Sequence, residues 1–266
     1  MNHYAPVRAY CDLLWTEIGR VADALPARMP VRHIHWGGGS PTILDTEDIA
    51  RLSGRMRECF DVLPDAEFAV EVDPRGFTPT QARAFARAGV TRASIGVQDC
   101  DPAVQRAINR IQSDDETFDA ISHLRSEGVR SINIDLVYGL PRQTPESWSR
   151  TLDFIRWLKP DCIAVFGYAH VPRFKKQQAL IPAELLPDVE TRFQMAEQAR
   201  RTLVAHGYVA VGIDHYALPG DTLAQAAAAS RLYRGAHHPT DVLGSVLFAV
   251  PWLLLTARTC APLARH

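Results

Sequence analysis

The stretch Val31–Phe60, VRHIHWGGGSPTILDTEDIARLSGRMRECF, predicts a strand, a glycine turn and a helix in succession. Val31–Trp36 follows a proline and runs directly into Gly37-Gly38-Gly39, as a strand that ends in a tight turn would. A helix then begins at Asp45 and continues to about Phe60, because its apolar residues recur on one face. The fold can be extended in both directions from this βα unit.

The same alternation continues on both sides. Upstream, Ala9–Leu25 carries apolar residues at steps of three and four, which predicts an amphipathic helix. Downstream, we expect strands at Phe68–Val72, Arg92–Val97, Ser131–Tyr138, Cys162–Phe166 and Tyr208–Ile213, and helices at Thr78–Ala88, within Pro102–Gly128, at Pro145–Leu158 and at Pro187–His206. Strands and helices that alternate at this spacing indicate parallel βαβ units. The predicted fold is α/β, and six strands favour a partial or closed barrel over an open sheet.

The composition limits the class of protein. The 266 residues include 29 basic and 30 acidic side chains, for a net charge of -1, and 47% are hydrophobic. Such a chain has enough apolar surface to fold, and it lacks the broad basic excess of a nucleic-acid-binding protein. The N-terminus has no long apolar core of a signal peptide, and the uncharged stretch Val242–Ala257 is short for a membrane span. We expect a cytoplasmic protein without a membrane or nucleic-acid partner.

The five cysteines are scattered, and the closest pair, Cys59 and Cys100, is 41 positions apart. An odd, scattered set suits reduced thiols better than a disulfide framework. No CxxC or CxxxCxxC spacing occurs, so the sequence alone predicts no zinc or iron–sulfur site.

Polar and glycine residues cluster directly after the predicted strands. The loops at the carboxyl ends of barrel strands build the binding site in this kind of fold. The clusters are Gly37–Ser40, Glu71–Arg75, Gln98–Asp99, Asp135–Pro141, Tyr168–Pro172 and Asp214–His215. We therefore expect one cleft at one end of the sheet.

Two of these clusters allow a structural interpretation beside the functional one. The glycines before Ser40 let a ligand approach the backbone, and a plain tight turn is the alternative interpretation. Glu71 and Asp73 lie on one side of a strand end, where they could contact ligand hydroxyl or ammonium groups. An ion pair between Asp73 and Arg75 that fixes the loop is the alternative.

The strand around Asp135 carries the strongest single candidate. Asn133 and Asp135 share one strand face and apolar neighbours take the other, so the Asp135 carboxylate needs a partner. His170 and His215 are lone histidines that more often serve structure than bind a ligand. The run Arg173–Lys176 suits a solvated loop, and it would also suit an anionic substrate.

Seven motifs follow one another along the chain: HWGGGSPT (35–42), EVDPR (71–75), SIGVQD (94–99), VQRAINRIQ (104–112), NIDLVYGLPRQTPESW (133–148), FGYAHVP (166–172) and GIDHYALPGD (212–221). Together they resemble one family, the oxygen-independent coproporphyrinogen III dehydrogenases, which are radical S-adenosylmethionine enzymes of haem biosynthesis. The resemblance spans about Tyr10 to Arg234. A sister group, the haem-chaperone-like radical proteins, shares fewer of these seven motifs.

The resemblance implies a partial (β/α) barrel, a [4Fe–4S] cluster, two S-adenosylmethionine molecules and a tetrapyrrole substrate handled by a monomer. In the family, a 5′-deoxyadenosyl radical removes hydrogen from a propionate side chain, and decarboxylation leaves a vinyl group. By resemblance, Gly38 and Glu71 would contact the first S-adenosylmethionine. The second would be contacted by Gly39, Ser40, Gln98, Arg110, Asp135 and Ala169. The resemblance assigns no catalytic residue.

Two departures from the family pattern shape the expectation. The family's CxxxCxxC precedes the helix that begins here near Tyr10, and Cys11 is the one thiol nearby, so we expect no metal ligand and no first barrel strand. The match stops at Arg234, where the family continues into a C-terminal helical domain. This predicts a truncated barrel core at 1–234 and, in place of that domain, a divergent apolar tail at 235–266, such as an out-of-frame segment. We expect no turnover by this chain alone. The alternatives are a module that binds S-adenosylmethionine or tetrapyrrole without catalysis, and a poorly folding product.

Overall fold

The computed structural model describes residues 4–234, without the side chains of residues 177 and 229–234. One compact unit extends to Ala224, and a second begins at Gln225. The predicted tail at 235–266 and its uncharged stretch lie outside the described residues, so the boundary at Arg234 stays a prediction. No helix within the described residues is both long and apolar enough to cross a bilayer.

The described residues form seven strands, eight α-helices and three short 3-10 helices at Pro41–Ile43, Lys176–Leu180 and Ala183–Leu185. The strands are β1 Pro30–Trp36, β2 Asp61–Val72, β3 Arg92–Gln98, β4 Ser131–Tyr138, β5 Cys162–Gly167, β6 Val209–Val211 and β7 His215–Ala217. The helices are α1 Ala5–Asp23, α2 Thr46–Cys59, α3 Pro79–Ala88, α4 Pro102–Ala107, α5 Asp114–Ser126, α6 Pro145–Leu158, α7 Val189–Ala205 and α8 Thr222–Arg234.

The strands form one open sheet in the order β1-β2-β3-β4-β5-β7-β6. The first five are parallel neighbours in chain order, and a helix follows each of β1 to β4 before the next strand. The prediction of an α/β fold of the partial-barrel type is confirmed, with β1 and β6 as the two edges of the described sheet.

The predicted strand Tyr208–Ile213 is wrong beyond Val211. Gly212 has φ +68°, and the chain reverses there into β7, which pairs antiparallel with both β6 and β5. Two short strands joined by three residues, Gly212 to Asp214, make a hairpin, for which local pairing is sufficient. An apolar run alone gives no sign of this reversal, so the sheet has seven strands rather than six, and the last two are not parallel βαβ strands.

The sheet has an apolar face and a polar face. Ile95 and Ile134 are fully buried under the helices, and they alternate along their strands with Ser94 and Asp135 on the opposite face. The predicted division of β4 into two faces is confirmed, since Ile134 and Leu136 are inaccessible. Because the strands are in register, the polar residues of β2, β3 and β4 lie side by side.

The helices begin where side chains cap them, directly after the loops of the sheet. Thr78 accepts a hydrogen bond from the Gln81 N–H, Ser113 does so from Glu116, and Thr144 from Ser147. In each case the third residue also bonds back to the cap, which satisfies two otherwise unpaired backbone N–H groups. These caps fix the ends of the loops that surround the site.

Two glycine substitutions with opposite expected signs test the backbone assignments. Gly212→Ala should lower the free energy of unfolding by about 1–2 kcal/mol, because an alanine at positive φ is strained. Gly54→Ala in α2 should raise it by about 0.5–1 kcal/mol, because helical alanine is favoured and the site for its methyl group is open. Urea unfolding followed by circular dichroism measures both. A Gly212→Ala variant with the same free energy of unfolding as Gly54→Ala would contradict the positive φ assigned to Gly212 in the hairpin turn.

Candidate functional site

A pocket of about 190 Å³ lies at the carboxyl ends of β1 to β4. Strand register explains its composition, because Glu71 pairs with Ser94 and Gly96 pairs with Asp135 across neighbouring strands. The lining residues are Gly39, Ser40, Glu71, Val72, Asp73, Ser94, Gly96, Gln98, Arg110 and Asp135.

Six of the eight residues expected from the resemblance line this pocket: Gly39, Ser40, Glu71, Gln98, Arg110 and Asp135. Gly38 lies beside them, and its N–H donates to the Glu71 carboxylate at 3.3 Å. Ala169 is not among the described lining residues, and its carbonyl accepts a hydrogen bond from the Gln178 side chain at 2.9 Å. Sequence reasoning did not single out Ser94 and Gly96 as lining residues, although they lie two residues apart on the polar face of β3.

The glycine turn opens toward the pocket. Gly38 and Gly39 have φ +69° and +70°, and a methyl group added to either would meet no described atom within 4 Å. At Gly37, a Cβ would lie 2.6 Å from both the Glu71 carboxylate and the His35 ring. Backbone conformation therefore requires the second and third glycines. Empty space beside them leaves room for a ligand to reach the main chain.

Asp135 has the partners that its position demands. Ser94 Oγ donates to Oδ2 at 2.9 Å, and Asn133 Nδ2 donates to Oδ1 at 2.7 Å. Burial raises the pKa of Asp135, and these two hydrogen bonds oppose that rise. Among the described residues, the buried Asn133 Oδ1 has no hydrogen-bond partner. An unpaired buried acceptor beside a carboxylate is unusual, and Asn133 is not among the described residues that line the pocket.

Arg110 is held against the floor of the pocket. Its guanidinium donates to the Gly96 carbonyl at 2.7 Å and lies 3.7 Å from Asp73. Its Nε is buried without a hydrogen-bond partner among the described residues, and burial lowers the pKa of the guanidinium. Asp73 also forms the two-point ion pair with Arg75 that was the alternative interpretation of this motif, at 2.6 and 2.9 Å. Arg75 lowers the pKa of the Asp73 carboxyl.

Gln98 has an unusual backbone conformation. Its φ is +69°, and the Asp99 N–H donates to the Val97 carbonyl at 2.9 Å across it. This is a γ-turn of the rare, strained kind. The turn interrupts the β3–β4 register between Gly96 and Gln98. It brings the Gln98 amide over Gly96, where an added Cβ would lie 3.1 Å from Gln98 Nε2.

A buried pair, Asp99 and Gln143, lies beneath this turn. Asp99 Oδ2 accepts from Gln143 Nε2 at 2.6 Å, and Oδ1 accepts from the Asp101 N–H at 2.6 Å. Gln143 Oε1 accepts from the N–H groups of Gly139 and Leu140 at 2.6 and 3.1 Å. Burial raises the pKa of Asp99 to about 6. The pair ties the loop after β3 to the loop after β4, and sequence reasoning did not identify it.

The two lone histidines are placed elsewhere. His215 lies in β7 with its ring edge-on to Phe166, and the His170 ring lies 6.0 Å from that of Tyr168. Neither is among the described residues that line the pocket. His215 nevertheless lies close enough to the pocket to oppose the rise that burial causes in the pKa of Asp135.

The sequence model of the Radical SAM superfamily matches residues 7–155, more than half of the chain. The chain belongs to the radical S-adenosylmethionine superfamily. Enzymes of this superfamily use S-adenosylmethionine and a [4Fe–4S] cluster. The match includes the glycine turn and the pocket residues of β2, β3 and β4.

Individual relatives are more specific. This chain is 46% identical over 241 residues to an oxygen-independent coproporphyrinogen III oxidase of Bradyrhizobium diazoefficiens. The aligned residues cover 91% of this chain and 54% of that protein. The chain is 43% identical over 197 residues to uncharacterized protein y4hJ of Sinorhizobium fredii, covering 74% of this chain and 76% of that protein. The coproporphyrinogen III oxidase HemN of Escherichia coli, a radical SAM enzyme, superposes with a TM-score of 0.81 at 39% identity, covering 85% of this chain and 52% of that one. The chain spans about half the length of the oxidases it matches.

The two groups that the superfamily implies fit the described residues differently. S-adenosylmethionine fits, because the pocket offers an open glycine backbone, carboxylates and the Arg110 side chain, whose buried Nε has no hydrogen-bond partner among the described residues. The cluster does not fit residues 4–234, where no group of three or more metal-ligating side chains occurs. Burial raises the pKa of Cys162 to about 12 and also raises those of Cys11 and Cys100, which disfavours their thiolates.

Proposed function

We propose that the pocket binds S-adenosylmethionine, and that the chain serves the oxidative decarboxylation of coproporphyrinogen III to protoporphyrinogen IX. The observation that carries the proposal is that six of the eight residues expected from the resemblance line one pocket, where the buried Arg110 Nε has no hydrogen-bond partner among the described residues. The names of the relatives at 37–46% identity support the choice of reaction.

Each pocket residue has a chemical task in this proposal. The carboxylates of Glu71 and Asp135 accept hydrogen bonds from ribose hydroxyls or the ligand ammonium, and the glycine backbone meets the amino-acid moiety. Arg110 supplies the positive charge for a ligand carboxylate, and Gln98 contributes an amide that can both donate and accept. In this superfamily, S-adenosylmethionine supplies a 5′-deoxyadenosyl radical. The side chains described here bind and orient it.

The same proposal includes the setting of the protein. We place it in the cytoplasm as a monomer that handles a tetrapyrrole and has no nucleic-acid or membrane partner. The near balance of 29 basic and 30 acidic residues supports the exclusion of a nucleic-acid partner.

Calorimetric titration of the purified chain with S-adenosylmethionine tests the binding step. We expect saturable binding of one or two molecules, and a higher melting temperature when the ligand is present, since a ligand that binds the folded state stabilises it. Adenine alone, which lacks the groups that Glu71, Arg110 and Asp135 would contact, is the control and should bind weakly. The absence of both saturable heat and a thermal shift would refute the proposal.

A second candidate, a binding module without catalysis, is favoured by one observation. Residues 4–234 contain no cluster-ligating set of side chains. Anaerobic incubation with iron and sulfide, followed by addition of S-adenosylmethionine and of dithionite as the one-electron reductant, separates the candidates. Visible Fe–S absorbance together with 5′-deoxyadenosine production would establish the enzyme, whereas S-adenosylmethionine binding without either signal would establish the module.

A further inference from the structure

The loop that follows β5, residues 168–186, carries a concentration of positive charge that the pocket does not use. We call it the mouth loop, because it leaves the carboxyl end of β5, the same sheet end as the pocket. Arg173, Lys175 and Lys176 are exposed within it. The two lysines are notable because the 266-residue chain contains only one other, Lys159.

Hydrogen bonds fix the part of the mouth loop that carries these charges. Gln178 accepts from the Val171 N–H at 2.5 Å and donates to the Ala169 carbonyl at 2.9 Å. The N–H groups of Phe174 and Lys175 both donate to the Val171 carbonyl, at 2.9 and 3.0 Å. The cations therefore extend from a closed turn rather than from a loose strand of chain.

The described protein covers neither these charges nor two large apolar side chains of the mouth loop. None of the three cations forms an ion pair with a carboxylate of residues 4–234. Phe174 is 85% exposed, and Leu180 is 84% exposed on the same loop. Large apolar side chains exposed beside unpaired charges are typical of a surface that meets a ligand or partner.

We propose that the mouth loop is the docking surface for the carboxylates of an amphiphilic ring substrate of the tetrapyrrole class. Lys175, Lys176 and Arg173 meet the carboxylates, and the flat face of Phe174 meets the ring system. This inference rests on the proposed function and adds the residues that select the substrate. It also explains why the cations lie at the pocket end of the sheet, where a bound substrate must approach S-adenosylmethionine.

Fluorescence titration with coproporphyrin III, a stable tetracarboxylate, tests the surface. The double variant Lys175→Gln/Lys176→Gln should bind it about three- to tenfold more weakly than wild type, because each exposed charge pair contributes modestly. The wild-type affinity should also fall with added salt more steeply than that of the variant. The matched control is Lys159→Gln, which removes the same charge before β5, at the opposite end of the sheet, and should leave binding unchanged.

The tetramethyl ester of coproporphyrin III provides the second arm. Without carboxylates, it should bind wild type and the double variant equally. Equal coproporphyrin III affinity for wild type and double variant would overturn the inference, as would the absence of any coproporphyrin III binding. Titration of the same proteins with S-adenosylmethionine keeps the two proposals apart. Normal S-adenosylmethionine binding by all of these proteins, together with porphyrin binding that the lysine substitutions leave unchanged, would refute the inference about the mouth loop and support the S-adenosylmethionine site.

Discussion

The Gln143→Ala variant is expected to unfold with a free energy about 3–5 kcal/mol below that of wild type at neutral pH. Gln143 is buried and satisfies four groups at once: the N–H groups of Gly139 and Leu140, the Val137 carbonyl and the Asp99 carboxylate. Each buried group left without its partner costs about 1–3 kcal/mol, and a charged one costs more. Alanine supplies neither the acceptor nor the donor.

The effect of Gln143→Ala should depend on pH in a stated direction. The folded-state pKa of Asp99 is raised from 3.8 to about 6, so its favourable contribution is complete below pH 3.8 and is lost as pH rises through about 6. The Gln143 hydrogen bond lowers this pKa, and its removal raises the pKa further. The destabilisation by Gln143→Ala should therefore be smaller at pH 5, where Asp99 is largely protonated, than at pH 8.

Urea unfolding at pH 5 and pH 8 measures both statements. Gln194→Ala, an exposed glutamine on α7, is the matched control and should change stability by less than about 0.5 kcal/mol at either pH. A Gln143→Ala variant as stable as that control would show that the two loops are held together by other contacts. Equal losses at the two pH values would show that Asp99 is not the charge involved.

Periodicity predicted the parts of the fold that depend on local pattern. The predicted bounds of Ser131–Tyr138 and Pro145–Leu158 match β4 and α6, because two- and 3.6-residue repeats bounded by turn residues are visible in the sequence itself. The hairpin at Gly212 was missed because each of its strands is only three residues long and the apolar run continues into the turn. The pairing of β7 with β5, which lies about 50 residues earlier in the chain, was missed for a different reason. A partner at that separation leaves no mark in a short window of sequence.

The same limit applies to the site. Asp135 was identified from β4 alone, because a carboxylate in an otherwise apolar strand needs an explanation wherever the strand packs. Asp99 and Gln143 are 44 positions apart, and each resembles an ordinary loop residue until the two loops are brought together. The contact of Ala169 with the ligand stays a prediction, and the hydrogen bond from Gln178 to its carbonyl joins two positions that no local repeat connects.

Asp135→Asn should weaken S-adenosylmethionine binding by about 10- to 100-fold, because hydrogen bonds to a charged group contribute about 1.5–3 kcal/mol. Asparagine keeps the shape of the side chain. Its amide nitrogen can donate to the unpaired Asn133 Oδ1 once that amide turns over, and its oxygen can still accept from Ser94. The pocket should therefore persist while its negative charge is lost.

The pH dependence of binding separates a lost charge from a damaged pocket. Burial raises the pKa of Asp135, so wild type should lose affinity on acidification at a higher pH than an ordinary aspartate would dictate. Asp135→Asn should lack that dependence, and Asp119→Ala, on the exposed face of α5, should retain the full wild-type profile and affinity. Calorimetric titrations at several pH values provide the comparison. If Asp135→Asn bound as tightly as wild type, the ligand would not contact this carboxylate, and the assignment of the pocket to S-adenosylmethionine would lose its central residue.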